Sequence, residues 1–218
     1  MESSLYSADY FVQRRSNGYE RQIAYQQEWR RVCERVRPGF ILDVGCGTGE
    51  FLDVFWGDWE KYGIEISEYC IDLCRSKGIT MVDFDSLRDD TFDLVIFRGV
   101  LQHLDNPFQA LREARRVLAP GGLIAILAQP DADSLCYRLF GDLPALDAPR
   151  NWWIPGRREI TNILKRLGFQ DIEVNHPYWG GPYARPLKDF ANFFQSLMGV
   201  RRKFAFPGNM MEVYARKG

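Results

Sequence analysis

Hydrophobic residues recur with a helical spacing in the first part of the chain. From Gly18 to Arg37, the apolar positions Tyr25, Trp29, Val32 and Val36 are separated by four, three and four residues. This spacing places the four side chains on one face and predicts a helix. The Pro-Gly pair that follows is a typical helix stop.

Short apolar runs then alternate with helical patterns up to residue 128. Near-continuous runs of this kind are typical of strands buried on both faces of a parallel sheet. They predict strands at 40–44, 61–66, 79–82, 92–97 and 123–128, with helices at 50–55, 68–77 and 106–118. The alternation indicates an α/β protein with a mostly parallel sheet, helices on both faces and right-handed crossovers.

The alternation stops after residue 128. Proline and aromatic residues become frequent in segments 129–155 and 176–208, which we interpret as insertions. The remaining patterns predict a helix at 157–167 and strands at 170–175 and 210–215.

The composition is that of an ordinary globular domain. The 218 residues are 46% hydrophobic and 26% charged, enough for one domain with a full core. A net charge of -1 creates no global field that favours nucleic acid or an anionic membrane. The longest apolar stretch is far shorter than the roughly 20 residues of a membrane-spanning helix. An odd number of cysteines beside only two histidines indicates reduced thiols in a cytoplasmic protein and no zinc site.

A glycine-rich segment after the first predicted strand carries the strongest chemical signal. Gly45, Gly47 and Gly49 occupy alternate positions, so the backbone can turn tightly beside a ligand at the carboxyl end of the strand. Glu50 stands where the dinucleotide pattern G-x-G-x-x-G requires glycine, and a P-loop lysine is absent. A carboxylate at the helix entrance also disfavours pyrophosphate. A cationic sulfonium ligand meets no such conflict, and Asp43 suits its positive amino-acid end.

Residues 41–49 resemble motif I of the class I S-adenosylmethionine-dependent methyltransferases. Later segments resemble further motifs of this family in the expected order, at 62–67, 82–85, 91–97, 116–122 and 163–169. The resemblance implies a Rossmann-like, seven-stranded, mostly parallel sheet with helices on both faces and an antiparallel last strand. It also implies S-adenosyl-L-methionine as the cofactor and S-adenosyl-L-homocysteine as its product.

The resemblance assigns roles to individual side chains around the cofactor. Glu65, about 20 residues after the glycines, is expected to accept hydrogen bonds from both ribose hydroxyls. Asp83, or alternatively Asp85, is expected to bind the adenine amino group beside an apolar neighbour. The expected cofactor-binding residues are Asp43, Gly45, Cys46, Gly47, Thr48, Gly49, Glu65, Ile66, Asp83, Phe84, Arg98 and Leu101, and no metal site is expected.

The segment after the fourth strand bears on the methyl acceptor. Methyltransferases that modify base amino groups usually carry Asp/Asn-Pro-Pro-aromatic here, whereas this chain has Phe-Arg-Gly-Val at 97–100. This difference and the lack of a basic stripe argue against a nucleic-acid acceptor. The chain is similar instead to the branch that includes ubiquinone-biosynthesis and sugar or polysaccharide methyltransferases. It is therefore expected to methylate a hydroxyl, in preference to an amine, of a small molecule or sugar intermediate.

Two histidines are candidate catalytic residues. His103 lies just past the fourth strand, at the ligand edge of the sheet, and could take the proton of an acceptor hydroxyl. An equally weighted alternative is that His103 orders this loop and covers the cofactor. His176, after the sixth strand, is a second candidate base.

The resemblance also suggests how the single domain, residues 1–218, is organised. Residues 1–39 would form a helical lid, 40–128 the cofactor-binding core, and 129–155 with 176–208 a substrate cover. A protein-directed methyltransferase and a non-catalytic cofactor-binding module are the alternatives. A nicotinamide oxidoreductase is disfavoured by Glu50. The sequence leaves the oligomeric state open.

Overall fold

The computed structural model describes residues 18–141, 143, 153–200 and 202–218. The first 17 residues of the predicted lid lie outside the described residues. So do residues 142 and 144–152 of the predicted substrate cover, and residue 201.

One sheet of seven strands organises the described part of the chain. The strand order is β3-β2-β1-β4-β5-β7-β6. Strands β1 to β5 pair in parallel, whereas β7 runs antiparallel to both β5 and β6. This confirms the predicted Rossmann-like fold with an antiparallel last strand. The strands are β1 Phe40–Val44, β2 Glu60–Ile64, β3 Thr80–Met81, β4 Phe92–Arg98, β5 Leu118–Pro130, β6 Phe169–Asn175 and β7 Met210–Lys217.

Helices cover both faces of this sheet, as predicted. Alternate residues of a strand point to opposite faces, so Leu42 and Ile41 of β1 enter two different cores. Leu111 and Leu164 pack into the first core, and Val32 packs into the second. The helices are α1 Gly18–Cys33, α2 Glu68–Ser76, α3 Pro107–Val117, α4 Leu135–Phe140, α5 Arg157–Arg166 and α6 Pro186–Leu197.

Several predicted boundaries differ from the structure. The helix predicted at 50–55 is only a short 3₁₀ turn, Leu52–Val54, and the third strand is reduced to Thr80–Met81. Strand β5 begins at Leu118 rather than 123, because Leu118 already pairs with Phe92 before a register shift. The proline-glycine turn signal therefore marks an irregularity in the strand rather than its start.

Two helices, α4 and α6, were not predicted. They lie within the proline- and aromatic-rich segments and contribute to a third, smaller core. Phe193 of α6 stacks on Phe206 with ring centroids 4.5 Å apart, and Cys136 of α4 is fully buried in the same cluster. These helices bury their apolar faces against each other and against 204–206 rather than against the sheet. Within the described part of the chain, every helix is too short or too polar to cross a membrane.

Candidate cofactor and acceptor site

The glycine-rich loop leaves β1 and turns sharply at the carboxyl edge of the sheet. Gly45, Gly47 and Gly49 have φ values of 73°, 55° and 73°, in the left-handed region that side chains rarely adopt. A Cβ at Gly45 would also collide with Val100. The loop therefore needs glycine for its conformation and for its close approach to the segment after β4.

Glu65, at the end of β2, fixes this loop. Its Oε2 accepts a hydrogen bond of 2.9 Å from the Gly47 amide. Its Oε1 accepts from the amides of Ile66 at 2.8 Å and Ser67 at 3.0 Å. Each carboxylate oxygen can accept more than one hydrogen bond, so these contacts are compatible with the predicted binding of ribose hydroxyls. Sequence reasoning missed the loop-fixing role.

A pair of thiols holds the other side of the loop. Cys46 and Cys74 are both buried, with their sulfur atoms 3.8 Å apart. The Cys74 thiol also donates to the Gly47 carbonyl at 3.2 Å. The loop is thus attached to α2 by two thiols, of which the sequence predicted only Cys46 as a site residue.

Asp43 lies beneath the loop and is almost completely buried. Its Oδ1 has no hydrogen-bond partner among the described residues. Burial raises the pKa of Asp43 to about 8, an effect that Arg98 opposes and that Glu65 and Glu28 increase. An unsatisfied buried carboxyl oxygen in the wall of a cavity fits a ligand with a cationic donor group. S-adenosylmethionine carries such a group at its amino-acid end, so the residues present fit this cofactor.

A cavity of about 140 Å³, here called the first cavity, opens above the loop where β1 and β4 meet. The crossovers leave the sheet in opposite directions at this point, which is where open α/β sheets bind ligands. The predicted residues that line it are Asp43, Gly45, Cys46, Gly47, Thr48, Glu65, Ile66, Arg98 and His103.

The other predicted cofactor residues lie outside this lining. Gly49 faces α2 and β3, where an added Cβ would meet Cys74 and Ile79. Leu101 is fully buried in the core. Asp83 and Phe84 form a short turn next to β3, and Phe84 packs against the core. Their contacts with the cofactor remain predictions.

Helix α1 closes the first cavity, through residues that sequence reasoning did not assign to the cofactor site. Arg21 and Tyr25 form part of the cavity wall. Arg21 lies 3.5 Å from the carboxylate of Glu50, the residue that follows the glycine loop. The predicted lid therefore contacts both the cavity and the loop.

Arg98 connects this helix to the sheet. Its guanidinium forms a bidentate ion pair with Glu28 of α1, with distances of 2.6 and 3.1 Å. It also lies over the rings of Tyr25 and Phe51, at 4.4 and 5.5 Å from their centroids. The pair is separated by 70 residues in sequence, so no local pattern could indicate it.

The two histidines have different surroundings. His103 lines the first cavity and follows β4, with its Nε2 3.3 Å from the Gln102 side-chain nitrogen. His176 lines neither the first cavity nor the second cavity that is defined in the next paragraph. Its Nε2 lies 2.8 Å from the buried Asp131 carboxylate, which also accepts a hydrogen bond of 2.9 Å from Arg157. The structure therefore places His176 in a network that connects the ends of β5 and β6 to α5, and its role as a base stays a prediction.

A larger cavity of about 270 Å³, here called the second cavity, adjoins the first. It lies between α1, segment 177–184 and segment 205–212, and Arg98 lines both cavities. Of the aromatic residues in the predicted substrate cover, Tyr178, Tyr183 and Phe206 line it, whereas Trp153 and Trp179 do not.

A family model and several known proteins are similar to this chain. A model described as a methyltransferase domain matches residues 19–174. A demethylmenaquinone methyltransferase of Bacillus mycoides is 24% identical over 204 residues, which cover 78% of this chain and 85% of that protein. A tRNA U34 carboxymethyltransferase of Desulfotalea psychrophila is 26% identical over 171 residues, which cover 70% of this chain and 53% of that protein. An S-adenosylmethionine-dependent methyltransferase structure from Thermotoga maritima has a TM-score of 0.63 and 22% identity, over 94% of this chain and 97% of that one.

Proposed function

The chain belongs to the methyltransferase-domain family and is an S-adenosylmethionine-dependent methyltransferase, and on this premise we propose that it methylates a hydroxyl group of a small molecule or sugar intermediate. An amine is the second choice. The observation that carries the proposal is that two cavities meet at Arg98, one above the glycine loop and one beneath the predicted substrate cover. A donor and a small acceptor can thus be held next to each other.

The residues of the first cavity have distinct tasks in this proposal. Asp43 attracts the cationic amino-acid end of the cofactor, and Glu65 fixes the loop and accepts from the ribose. Helix α1 excludes water, because Arg21 and Tyr25 close the cavity from above. When bound, the cofactor supplies an electrophilic methyl group on a sulfonium. The protein mainly has to bring the acceptor into line with it, since such alignment supplies much of the rate enhancement.

His103 is the residue that we assign to the acceptor proton. It lines the first cavity and ends the short 3₁₀ turn that follows β4. A hydroxyl is a weak nucleophile until its proton is removed, and an imidazole can accept that proton at neutral pH. The acceptor oxygen would bond to the methyl carbon as the bond from that carbon to the sulfonium breaks and leaves S-adenosylhomocysteine, while the hydroxyl proton would move to an imidazole nitrogen of His103.

The test is a screen for transfer of an isotope-labelled methyl group to paired small molecules that differ only in carrying a hydroxyl or an amine. We expect hydroxyl compounds to be methylated, and His103→Ala to lower kcat by roughly 100-fold or more. His176→Gln is the matched control, since it changes a histidine outside both cavities. Unchanged kcat in His103→Ala would assign His103 to loop order instead.

A macromolecular acceptor is the main rival, because the relatives include a tRNA-modifying enzyme. The second cavity favours a small molecule, since it is walled by α1 and by segments 177–184 and 205–212. The same assay with unfractionated tRNA and with a protein mixture decides between them. Methylation of either one, with every small molecule inert, would contradict the proposal.

A further inference from the structure

The charged side chains of the second cavity are matched in pairs. Arg31 forms a bidentate ion pair with Glu212, with distances of 2.6 and 2.8 Å. Arg98 is paired in the same way with Glu28. Each guanidinium fork is therefore already occupied by a carboxylate. Among the described residues, the charged lining contributes no net charge and offers no unmatched cation to an acceptor.

The rest of the lining is mostly apolar. Tyr178, Phe206, Met210 and Met211 provide large side chains, and prolines and alanines complete the wall. The volume of about 270 Å³ is close to the lower end of the roughly 300–1,000 Å³ that is typical of small-molecule pockets. Burying an anion here would require one of the ion pairs to open, which leaves a buried charge without its partner.

Tyr183 is the tyrosine of this lining whose hydroxyl is still available: the residue is 49% exposed, and its hydroxyl makes no hydrogen bond to any other described residue. The Tyr178 hydroxyl, by contrast, donates to Asp189 at 2.8 Å. Asn209 also lines the cavity and its side-chain amide has no described partner, but these amide atoms are buried, and Gln27 donates to the Gly180 carbonyl at 3.0 Å. Tyr183 lines the second cavity together with Arg98, which also lines the first, so the two cavities meet along the wall to which Tyr183 belongs.

We infer that the second cavity selects a neutral, largely apolar acceptor with one hydroxyl, and that Tyr183 orients this hydroxyl at the junction. The inference rests on the proposed function and narrows its acceptor class: it disfavours phosphorylated and carboxylated acceptors. Burial raises the pKa of Tyr183, so its phenol stays protonated at neutral pH. Tyr183 is therefore a hydrogen-bond donor that positions the acceptor, and removal of the acceptor proton falls to His103.

The test measures binding of 1-naphthol, naphthalene and 1-naphthyl phosphate to the protein saturated with S-adenosylhomocysteine. We expect 1-naphthol to bind at least roughly tenfold more tightly than 1-naphthyl phosphate, because the phosphate would have to displace a carboxylate from an ion pair. Tyr183→Phe should weaken 1-naphthol binding roughly fivefold and leave naphthalene binding unchanged, as expected for one lost hydrogen bond. Tyr19→Phe, on the exposed surface of α1, is the control.

A second variant tests the place of binding. Ala205→Trp fills the second cavity without altering the lining of the first. It should abolish 1-naphthol binding, while S-adenosylhomocysteine affinity stays within about twofold and shows that the variant is folded.

Tighter binding of 1-naphthyl phosphate than of 1-naphthol would overturn the inference. So would undetectable 1-naphthol binding to the unmodified protein, or unchanged 1-naphthol affinity in Tyr183→Phe. The methyl-transfer screen decides the proposed function separately. If the enzyme methylates a phosphorylated hydroxyl compound, the proposed function holds and the inference about the acceptor class is wrong.

Discussion

Asp43 shows how one buried residue can make the free protein sensitive to pH. It lies under the glycine loop, is 2% exposed and has a carboxyl oxygen without a described partner. Its neutral form avoids the cost of a buried charge, so the folded protein binds the proton more tightly than the unfolded chain does. The same carboxyl must ionise when it pairs with a cationic ligand. Proton release and ligand binding are therefore coupled at this residue.

We predict that the stability of the ligand-free protein decreases as pH rises from about 5 to about 8, and that Asp43→Asn reduces this decrease. The pKa of Asp43 in the folded protein, about 8, lies above its ordinary value of 3.8. The stabilising contribution of a raised pKa is complete below the unfolded value and is lost as pH rises through the folded value. Urea denaturation at a series of pH values measures this. If the free energy of unfolding changes with pH in the same way in both proteins, the raised pKa does not belong to Asp43.

Glu65 is the residue for which sequence and structure give complementary roles. The carboxylate accepts from three backbone amides, at Gly47, Ile66 and Ser67, so it determines where the loop lies before any ligand arrives. The predicted contact with ribose then uses an acceptor that is already fixed in place. Such preorganisation lowers the entropic cost of binding.

We predict that Glu65→Gln weakens S-adenosylhomocysteine binding by roughly 10- to 100-fold, because an amide nitrogen replaces one of the two acceptor oxygens and loses the charge assistance. Isothermal titration gives the affinity. Glu68→Gln is the matched control, since Glu68 is exposed at the start of α2. An affinity equal to that of the unmodified protein would remove Glu65 from the site.

At the level of elements, α1 is held on the sheet by a buried ion pair. The side chains of Glu28 and Arg98 are 8% and 13% exposed. Burial raises the pKa of Glu28, an effect that the neighbouring Arg98 opposes. Breaking one member of such a pair leaves the other charged and buried, which is more damaging than the loss of a surface ion pair.

We therefore predict that Glu28→Gln lowers the free energy of unfolding by about 3–5 kcal/mol. Glu34→Gln removes the exposed partner of Arg35 from the segment just after the same helix and should cost less than about 1 kcal/mol. Urea denaturation at pH 7 compares the two. Equal losses for the two variants would show that the ion pair does not hold the helix.

The elements that the sequence predicted well are those with a strong local pattern. Strands β1 and β4 are continuous apolar runs buried on both faces, and their ends carry the loop and His103. The four apolar positions predicted for the first helix all pack into one core, although α1 ends at Cys33 and Val36 lies just after it. The loop has positive φ values at three positions that favour glycine, so the sequence shows it as a recognisable motif.

The parts that escaped prediction depend on contacts between distant residues. Helix α6 begins at Pro186 within a segment dense in proline and glycine, and its apolar face becomes clear only when Phe204 and Phe206 lie against it. His176 is a second candidate base by its position after a strand, and the sequence does not indicate its ion pair. Its partner, Asp131, is 45 residues away and occupies its Nε2. Hydrophobic periodicities of 3.6 residues in helices and 2 residues in strands carry no information about contacts between such distant residues.

At the scale of the molecule, the strand order brings the chemistry together. Strands β2, β1, β4 and β5 are neighbours, so their carboxyl ends form one continuous edge. Glu65, Asp43 and Arg98 lie along this edge although they are far apart in sequence. Helix α1 and the segments before β7 then cover it from above. Both cavities therefore depend on the lid, the sheet and the cover being folded at once.

This dependence leads to a prediction about the proposed single domain. We expect one cooperative thermal transition, seen identically by far-UV circular dichroism and by tryptophan fluorescence, because Trp29, Trp59 and Trp179 report on the lid, the core and the cover. S-adenosylhomocysteine at about 100 times its Kd should add about 2.7 kcal/mol of stability and raise Tm by about 5–10 °C. NADH at the same concentration is the control and should leave Tm unchanged. Two separate transitions, of which only one moves with the ligand, would show that the cover folds independently of the cofactor core.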